Sequence, residues 1–492
     1  MNWPPAKPSD YKAIMTCAPN ATILTALEQR LGPKGFTRDA AEMAPWLSDW
    51  RGRIHGRAAA MLSPANVDEV QAIVRLAVEH RIAIVPQGGN SSMVAGATPP
   101  AEGHALLLSL RRMNRIRSLS PDDNVAVAEA GVILSDLHEA AAGIGRRFPL
   151  TLGAKGTARI GGLVSTNAGG TQVLRFGTMR ALVVGIEAVL ASGERFEGLS
   201  ALRKDNRGYD LRQLLIGAEG TLGVITAASL RLVPAIGARA VAWVGLGSPH
   251  AALSLLRRLE AASSDAVESF EAIPANVLAL ILRHIPGTRS PLAGTHAWNI
   301  LIETTAPPGA FDPVGTLTAL LADAIGDGLI EDAAIAANEA QAEAFWRMRD
   351  SISEAERAES PAAKHDIAVP VSAVPDFLVE ARHAVEQRFA GTQVVAFGHL
   401  GDGNIHFNVQ PPIGVDGARW LEEEGRAISA FVHDFVAARG GSLSAEHGIG
   451  QLKLAEFART AGPVRLGALR AIKQALDPHG IMNPGKLVPP VA

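Results

Sequence analysis

The run Gly398 to Val409 reads GHLGDGNIHFNV, with His399 and His406 on either side of a Gly-Asp-Gly-Asn turn. Asp402-Gly403 is a strong two-residue hairpin signal, because a type I′ turn needs positive φ at both central positions. The expected register sets Gly401 opposite Asn404, Leu400 opposite Ile405 and His399 opposite His406, with the histidine Cβ atoms about 4.5–5.5 Å apart. Asn408 points the same way, two residues beyond His406. Two neutral imidazoles so placed are half of a site for zinc or another borderline divalent metal. The competing reading is a pair of half-buried histidines bonded to backbone. A second segment, GGSLSAEHGIG, supplies Glu446 and His447. A carboxylate beside two histidines completes three protein ligands and leaves a position open for substrate, with His447 then free to act as a base. Alternatively Glu446 caps or salt-bridges and His447 is a surface residue.

The elements that must position these residues are written over 492 positions, enough for two or three domains. Lys and Arg number 46 against 49 Asp and Glu, so no basic surface for nucleic acid is indicated. The single cysteine, Cys17, excludes an internal disulfide framework and fits a reducing compartment. The start MNWPPAKPSD has no basic stretch before an apolar one, and ALVVGIEAVLASG is interrupted by Glu187 and too short to span a bilayer. The expectation is a protein of the cytoplasm without a transmembrane segment. Abundant alanine, glycine and arginine read as a high-GC bacterial genome.

A helical preface is expected over residues 1–50. From Ala58, helix and strand alternate with glycine loops: SPANVDEVQAIVRLAVEH reads as a helix capped by Ser63 with Pro64 at its first position, and RIAIVPQGGN as a strand entering a loop. This pattern defines a domain over 51–234. Glycine thins over 235–432, where alanine-rich helices and strands such as HAWNILIETT suggest a separate α+β domain. The tail, 433–492, is loop-rich and carries polar residues of its own.

Three glycine clusters mark the 51–234 domain: PQGGNSSMVAG, LGAKGTARIGGLVSTNAGG and IGAEGTLGVIT. Successive amides in such loops make anion-binding concavities. None is the G-x-G-x-x-G of a Rossmann unit. GIMNPGK has the Walker A glycine spacing but puts Leu487 where the magnesium-binding hydroxyl belongs. Three small-residue loops together suit one large, extended phosphate-bearing cofactor.

With these segments, KDNRGYDLRQLLIGAEGTLGVIT and the closing IMNPGK, the chain resembles the FAD-linked oxidases of the vanillyl-alcohol oxidase type, and within them the D-2-hydroxyacid dehydrogenases acting on D-2-hydroxyglutarate. The resemblance runs from about Arg51 to Leu487. It implies an α+β fold: a two-part FAD-binding domain, a substrate domain with an antiparallel sheet, and a C-terminal segment returning to the flavin. By similarity, Pro86, Gln87, Gly88, Gly89, Asn90, Ser91 and Ser92 wrap the pyrophosphate. The second loop joins them through Leu152, Gly153, Gly156, Gly161 and Gly162, then Ser165, Thr166, Asn167, Gly169 and Gly170. Glu219, Gly220, Gly223 and Val224 line the adenosine side, while Asn404 and Asn483 approach the isoalloxazine. Ser92 stands where the family often has glycine and lacks its freedom at positive φ.

On the substrate side, WRMRDSIS puts Arg349 and Ser353 four apart on a helix, hence on one face, and Lys364 follows in AKHDIAVP. The resemblance implies that Arg349, Ser353 and Lys364 receive the distal carboxylate of the substrate, with Asn408 as polar support. An arginine grips a carboxylate bidentately and a lysine supplies a point charge. The implied reaction is oxidation of a D-2-hydroxyacid, most simply D-2-hydroxyglutarate, with zinc on His399, His406 and Glu446, His447 as general base, and FAD as hydride acceptor. FAD is expected to be noncovalent, although His55 or His104 would be the candidates for a covalent link. An external acceptor, an electron-transfer flavoprotein or quinone, and a homodimer are family-level expectations, with peripheral association with a membrane electron-transfer chain as a variant of the cytoplasmic reading. The alternatives are a D-lactate or glycolate dehydrogenase, a catalytically silent flavin-binding subunit, or a zinc hydrolase without flavin.

Overall fold

The computed structural model describes residues 16–202, 204–263 and 265–490. The chain forms two compact units: residues 1–168, 178–233 and 446–492, and residues 169–177 with 234–445.

The first unit holds two sheets. Phe36–Thr37, Ala60–Leu62, Leu106–Ser109 and Ile84–Gln87 form one, the last three strands parallel. Ile116–Ser120, Val125–Glu129, Gly223–Arg231, Val183–Leu190 and Arg195–Gly198 form an antiparallel one. Leu62, Ile84 and Leu106 from the first share a core with Val189 and Val224 from the second. Helix Val67–His80 contributes Val70, Ile73, Val74 and Ala77 from its apolar stripe. Its N-cap is Asn66, not Ser63: the Asn66 side chain accepts from the Glu69 amide while Glu69 reaches back to the Ala65 amide. The expected start was too early because a reciprocal cap with an acidic third residue outcompeted the Ser-Pro signal.

In the second unit seven antiparallel strands lie in the order Asp332–Ile335, Ala238–Leu246, Trp298–Ala306, Val267–Pro274, Gln393–His399, Asn404–Gln410 and Ala363–Ala368. Helices cover both faces. One face packs with Pro249–Ser263, Pro313–Gly326, Val374–Arg388 and Gly417–Ala437, the other with Ala275–His284, Glu339–Asp350 and Ile352–Glu359. Strands buried on both sides read as nearly continuous apolar runs, so a charged side chain inside one of them needs a partner.

Two expectations are corrected here. The histidine hairpin is closed by four residues, Leu400 to Gly403, instead of two, and pairs His399 with Asn404 and Phe397 with His406. Gly403 has φ +85° while Asp402 is not in the left-handed region, so the type I′ turn does not form. Leu400, buried in the core, and an Asp402 carboxylate that accepts from the Asn404 amide hold the wider loop. Arg349 and Ser353 also do not share a helix: the first ends at Asp350, Ser351 takes ψ −4°, and a second helix begins at Ile352. Ser353 is exposed.

Candidate functional site

The register of the second unit's sheet builds one polar stripe across four adjacent strands. Glu271 lies opposite His399, and His399 opposite Asn404. His406 lies opposite Asp366, and Asn408 opposite Lys364. Directly opposed residues share a face, so all seven side chains emerge on the side that also carries Val395 and Phe397. His399 and His406 are therefore diagonal neighbours on one face; their ring centroids are 5.7 Å apart, and Phe397 packs against His406 at 5.1 Å.

Basic and acidic groups converge on this stripe from the helices above it. Arg349 donates from Nε to Glu271 Oε2 at 2.9 Å and from Nη2 to His399 Nε2 at 3.3 Å. The other oxygen of Glu271 lies 2.6 Å from His399 Nδ1. Burial alone would raise the Glu271 pKa, but the charges and hydrogen bonds of Arg349 and His399 outweigh it and hold the carboxyl at about 2. Lys364 Nζ is 2.6 Å from Oε2 of the fully buried Glu356. Asn404 donates to Asp366 Oδ1 and to the Ile367 carbonyl, and Asn408 accepts from the His365 amide.

Glu446 directly follows the last residue of this unit, whose amide (Ala445) bonds to the Asp366 carbonyl at 3.3 Å. Ligand atoms of His399, His406 and Glu446 all lie within 4.8 Å of one another. Two imidazoles and a carboxylate so grouped fit the donor set of a catalytic zinc or similar divalent ion. His447 Nε2 is 4.0 Å from Glu446 Oε2.

In the first unit two of the glycine loops come together. A Cβ on Gly89 would lie 1.9 Å from the Thr157 carbonyl oxygen, so the first two loops touch backbone to backbone. Around Gly153, Gly156 and Gly162, by contrast, no atom lies within 4 Å of where a Cβ would stand. Gln87 is buried and anchors its loop by donating to the carbonyls of Trp46 and Ala97. The left-handed positions near the first loop are Asn90 and Ala95; Ser92 needs no positive φ and instead accepts from the amides of Val94 and Gly96. Asn167, at φ +50°, closes helix Ile160–Thr166. Glu219 is buried at φ +52°, and its two oxygens accept the amides of Ile449 and Gly450 at 2.7 Å. Burial raises its pKa against those bonds. Asn483 donates to the carbonyls of Gly96 and Glu219 and leaves a buried Oδ1 without a partner, the kind of orphan a bound group can satisfy.

Sequence reasoning named the histidines, Glu446, Arg349, Lys364 and Asn408, but missed Glu271, Glu356 and Asp366. The only signal for the first was a carboxylate inside the apolar strand VESFEAIP.

Residues 58–198 match the family described as FAD binding domain, and residues 237–487 the FAD linked oxidases, C-terminal domain. The chain is 35% identical over 459 residues to the mitochondrial D-2-hydroxyglutarate dehydrogenase of Arabidopsis thaliana, covering 93% of this chain and 80% of that one. It is 34% identical over 467 residues to D-2-hydroxyglutarate dehydrogenase of Xanthomonas citri pv. viticola, covering 94% and 96%. Among solved structures, 4-ethylphenol oxidase from Gulosibacter chungangensis superposes with a TM-score of 0.71 at 18% identity, over 95% of this chain and 97% of that one, a likeness of fold. No helix among the described residues is long and apolar enough to cross a membrane.

Proposed function

The chain belongs to the FAD-linked oxidases, and from that premise we propose that it is an FAD-dependent dehydrogenase that oxidises D-2-hydroxyglutarate to 2-oxoglutarate. The observation that supports the substrate class is a pair of basic side chains beside His399 and His406: Lys364 on the sheet stripe itself, and Arg349 reaching it from helix Glu339–Asp350. A monocarboxylate such as lactate has no distal carboxylate for these two cations to hold beside their Glu271 and Glu356 partners.

His399, His406 and Glu446 would hold a divalent ion, and the loops at 86–92, 152–170 and 219–224 would hold FAD. When bound, these groups supply Lewis acidity toward the C2 hydroxyl and an acceptor for the C2 hydride. The protein's own part is to fix the substrate and take the proton. Arg349 and Lys364 grip the distal carboxylate, Asn408 adds a polar contact, and the His447 imidazole accepts the hydroxyl proton. The two electrons leave the substrate with hydrogen from C2 as C–O becomes C=O. With FAD bound, its reoxidation would fall to an external acceptor such as an electron-transfer flavoprotein or a quinone.

The test is the anaerobic absorbance spectrum of the purified protein before and after D-2-hydroxyglutarate, with D-lactate and the L-isomer in parallel. Bleaching of a flavin band by D-2-hydroxyglutarate alone is expected. Bleaching by D-lactate alone would transfer the reading to the monocarboxylate enzyme, and a colourless protein that takes up no FAD would end it.

A further inference from the structure

The geometry points to Glu271 as a positioning residue that couples the two halves of the site: one oxygen selects the metal-binding nitrogen of His399 while the other aims the guanidinium of Arg349. The inference rests on the reading just proposed, in which His399 is a metal ligand and Arg349 a substrate-binding residue.

Glu271 is directly opposite His399 across two antiparallel strands and is only 1% exposed. Its Oε1 lies 2.6 Å from His399 Nδ1, and its Oε2 lies 2.8 Å from Arg349 Nη2 and 2.9 Å from Arg349 Nε. A carboxylate clamped by a guanidinium is an acceptor only, so the proton between Glu271 and His399 belongs to Nδ1. In a neutral imidazole the lone pair then resides on Nε2, the nitrogen that faces Arg349 Nη2 at 3.3 Å and the one that can ligate. The ring cannot turn over without burying Nδ1–H away from its acceptor, because Asn404 is opposite His399 on its other side and His406 stacks edge-on against it. A carboxylate behind a ligating histidine fixes the tautomer and raises ligand basicity, and its loss generally weakens metal binding about 10- to 100-fold.

Arg349 comes from the last turn of helix Glu339–Asp350, a different element from the sheet, and with its side chain 13% exposed it is held in direction by that clamp. A single buried carboxylate thus ties the orientation of the substrate's anchor to the orientation of the metal's ligand. Glutamine at 271 has the same shape but cannot serve both partners: its amide oxygen can accept from one, and its NH2 presents a donor to the other.

The test is zinc affinity of the full chain with FAD bound, measured by competition with a chromophoric chelator for wild type, Glu271→Gln and Glu271→Asp, with the Michaelis constant for D-2-hydroxyglutarate alongside. Expected is a zinc affinity about 10- to 100-fold weaker in Glu271→Gln, together with a raised Michaelis constant. Arg349→Met should raise the Michaelis constant and leave zinc affinity within a few-fold of wild type, which a merely structural role for Glu271 would not separate. Should Glu271→Gln fail to retain FAD or fold, Glu271→Asp carries the test: it keeps the charge but retracts it, and unchanged zinc affinity there overturns the inference. Unchanged zinc affinity in a folded Glu271→Gln does the same while leaving the proposed reaction standing. A wild-type protein that binds no zinc or other divalent ion overturns both.

Discussion

Lys364 and Glu356 show how a charged group is kept on a buried stripe. Glu356 is fully buried on helix Ile352–Glu359, and the Lys364 ammonium, 21% exposed at the side chain, is its ion partner at 2.6 Å. Removing one member of a buried pair leaves the other charge uncompensated, at about 3–5 kcal/mol for full burial. Lys364 is partly solvated, so Glu356→Gln should cost toward the lower end of that range. The double change Glu356→Leu with Lys364→Met should recover most of it, because apolar residues of similar volume replace such pairs at little cost. Thermal unfolding of the two variants beside the wild type checks this; equal losses in the single and double variants would refute the pairing argument. On the functional side, losing a charge-assisted contact of roughly 1.5–3 kcal/mol predicts that Arg349→Met and Lys364→Met each lower kcat/KM on D-2-hydroxyglutarate about 10- to 100-fold. Activity on D-lactate should change little; parallel losses on both substrates would sink the dicarboxylate assignment. The histidines and Glu446 stood out as candidates because each sits in a short motif whose spacing has a chemical meaning, whereas Arg349 and Lys364 were singled out by the family resemblance, and the spacing of Arg349 and Ser353 did not put them on one helix. Glu271 did not stand out, since its partner His399 lies 128 positions away and meets it only through the strand register.

At the scale of elements, the helix and strand types followed from periodicity, and the joints did not. Helix Val67–His80 was plain in its apolar stripe, yet its start moved to Asn66; the run WRMRDSIS read as one helix and is two. The hairpin is the instructive case. Its Asp-Gly signal gave the correct fold-back but the wrong register, because burying Leu400 in the core outweighed the tightest turn. The histidines still share a face, since the four-residue loop shifts the register by two positions and the side-chain period is two. Gly403 is what the wider loop requires: φ is +85°, and a Cβ would stand 2.2 Å from the Val369 carbonyl oxygen. Gly414 has nearly the same φ, +83°, with nothing within 4 Å of a Cβ. Gly403→Ala therefore combines backbone strain with a clash, whereas Gly414→Ala meets strain alone, of order 1 kcal/mol. Differential scanning calorimetry should show a clearly larger loss of Tm for Gly403→Ala, along with weakened zinc binding. Equal shifts would mean that the loop, not the Val369 contact, sets the cost.

Taken whole, the chain leaves the first unit at Val233 and re-enters it at Glu446, so the last segment closes a fold begun more than two hundred positions earlier. That return is held by backbone and buried polar groups: Ile84 exchanges hydrogen bonds with Ile481 and Asn483, the Glu219 carboxylate grips the amides of Ile449 and Gly450, and Lys473 donates to the carbonyls of Thr221 and Met482. Periodicity could not announce these partners, because backbone carbonyls and amides carry no sequence signature. Lys486 lies in the same segment, 2% exposed, with its Nζ 3.3 Å from the Pro484 carbonyl oxygen. Burial pushes its pKa down from 10.5 to about 8, against the opposing pull of Glu219 and Glu102. Between about pH 8 and 10.5 the unfolded chain therefore holds this proton and the folded one does not. Where the unfolded state binds more protons, stability rises with pH. Below pH 8 both states are protonated and the burial cost is constant, up to about 3 kcal/mol for a shift of this size. Lys486→Met removes the titrating group with little change in volume. The variant should be the more stable protein at pH 7, and the gap in Tm should narrow steadily as pH is raised from 8 toward 10, because only the wild type gains. Tm curves that run parallel across that interval would show that the lysine reaches solvent and that the returning segment is not closed over it.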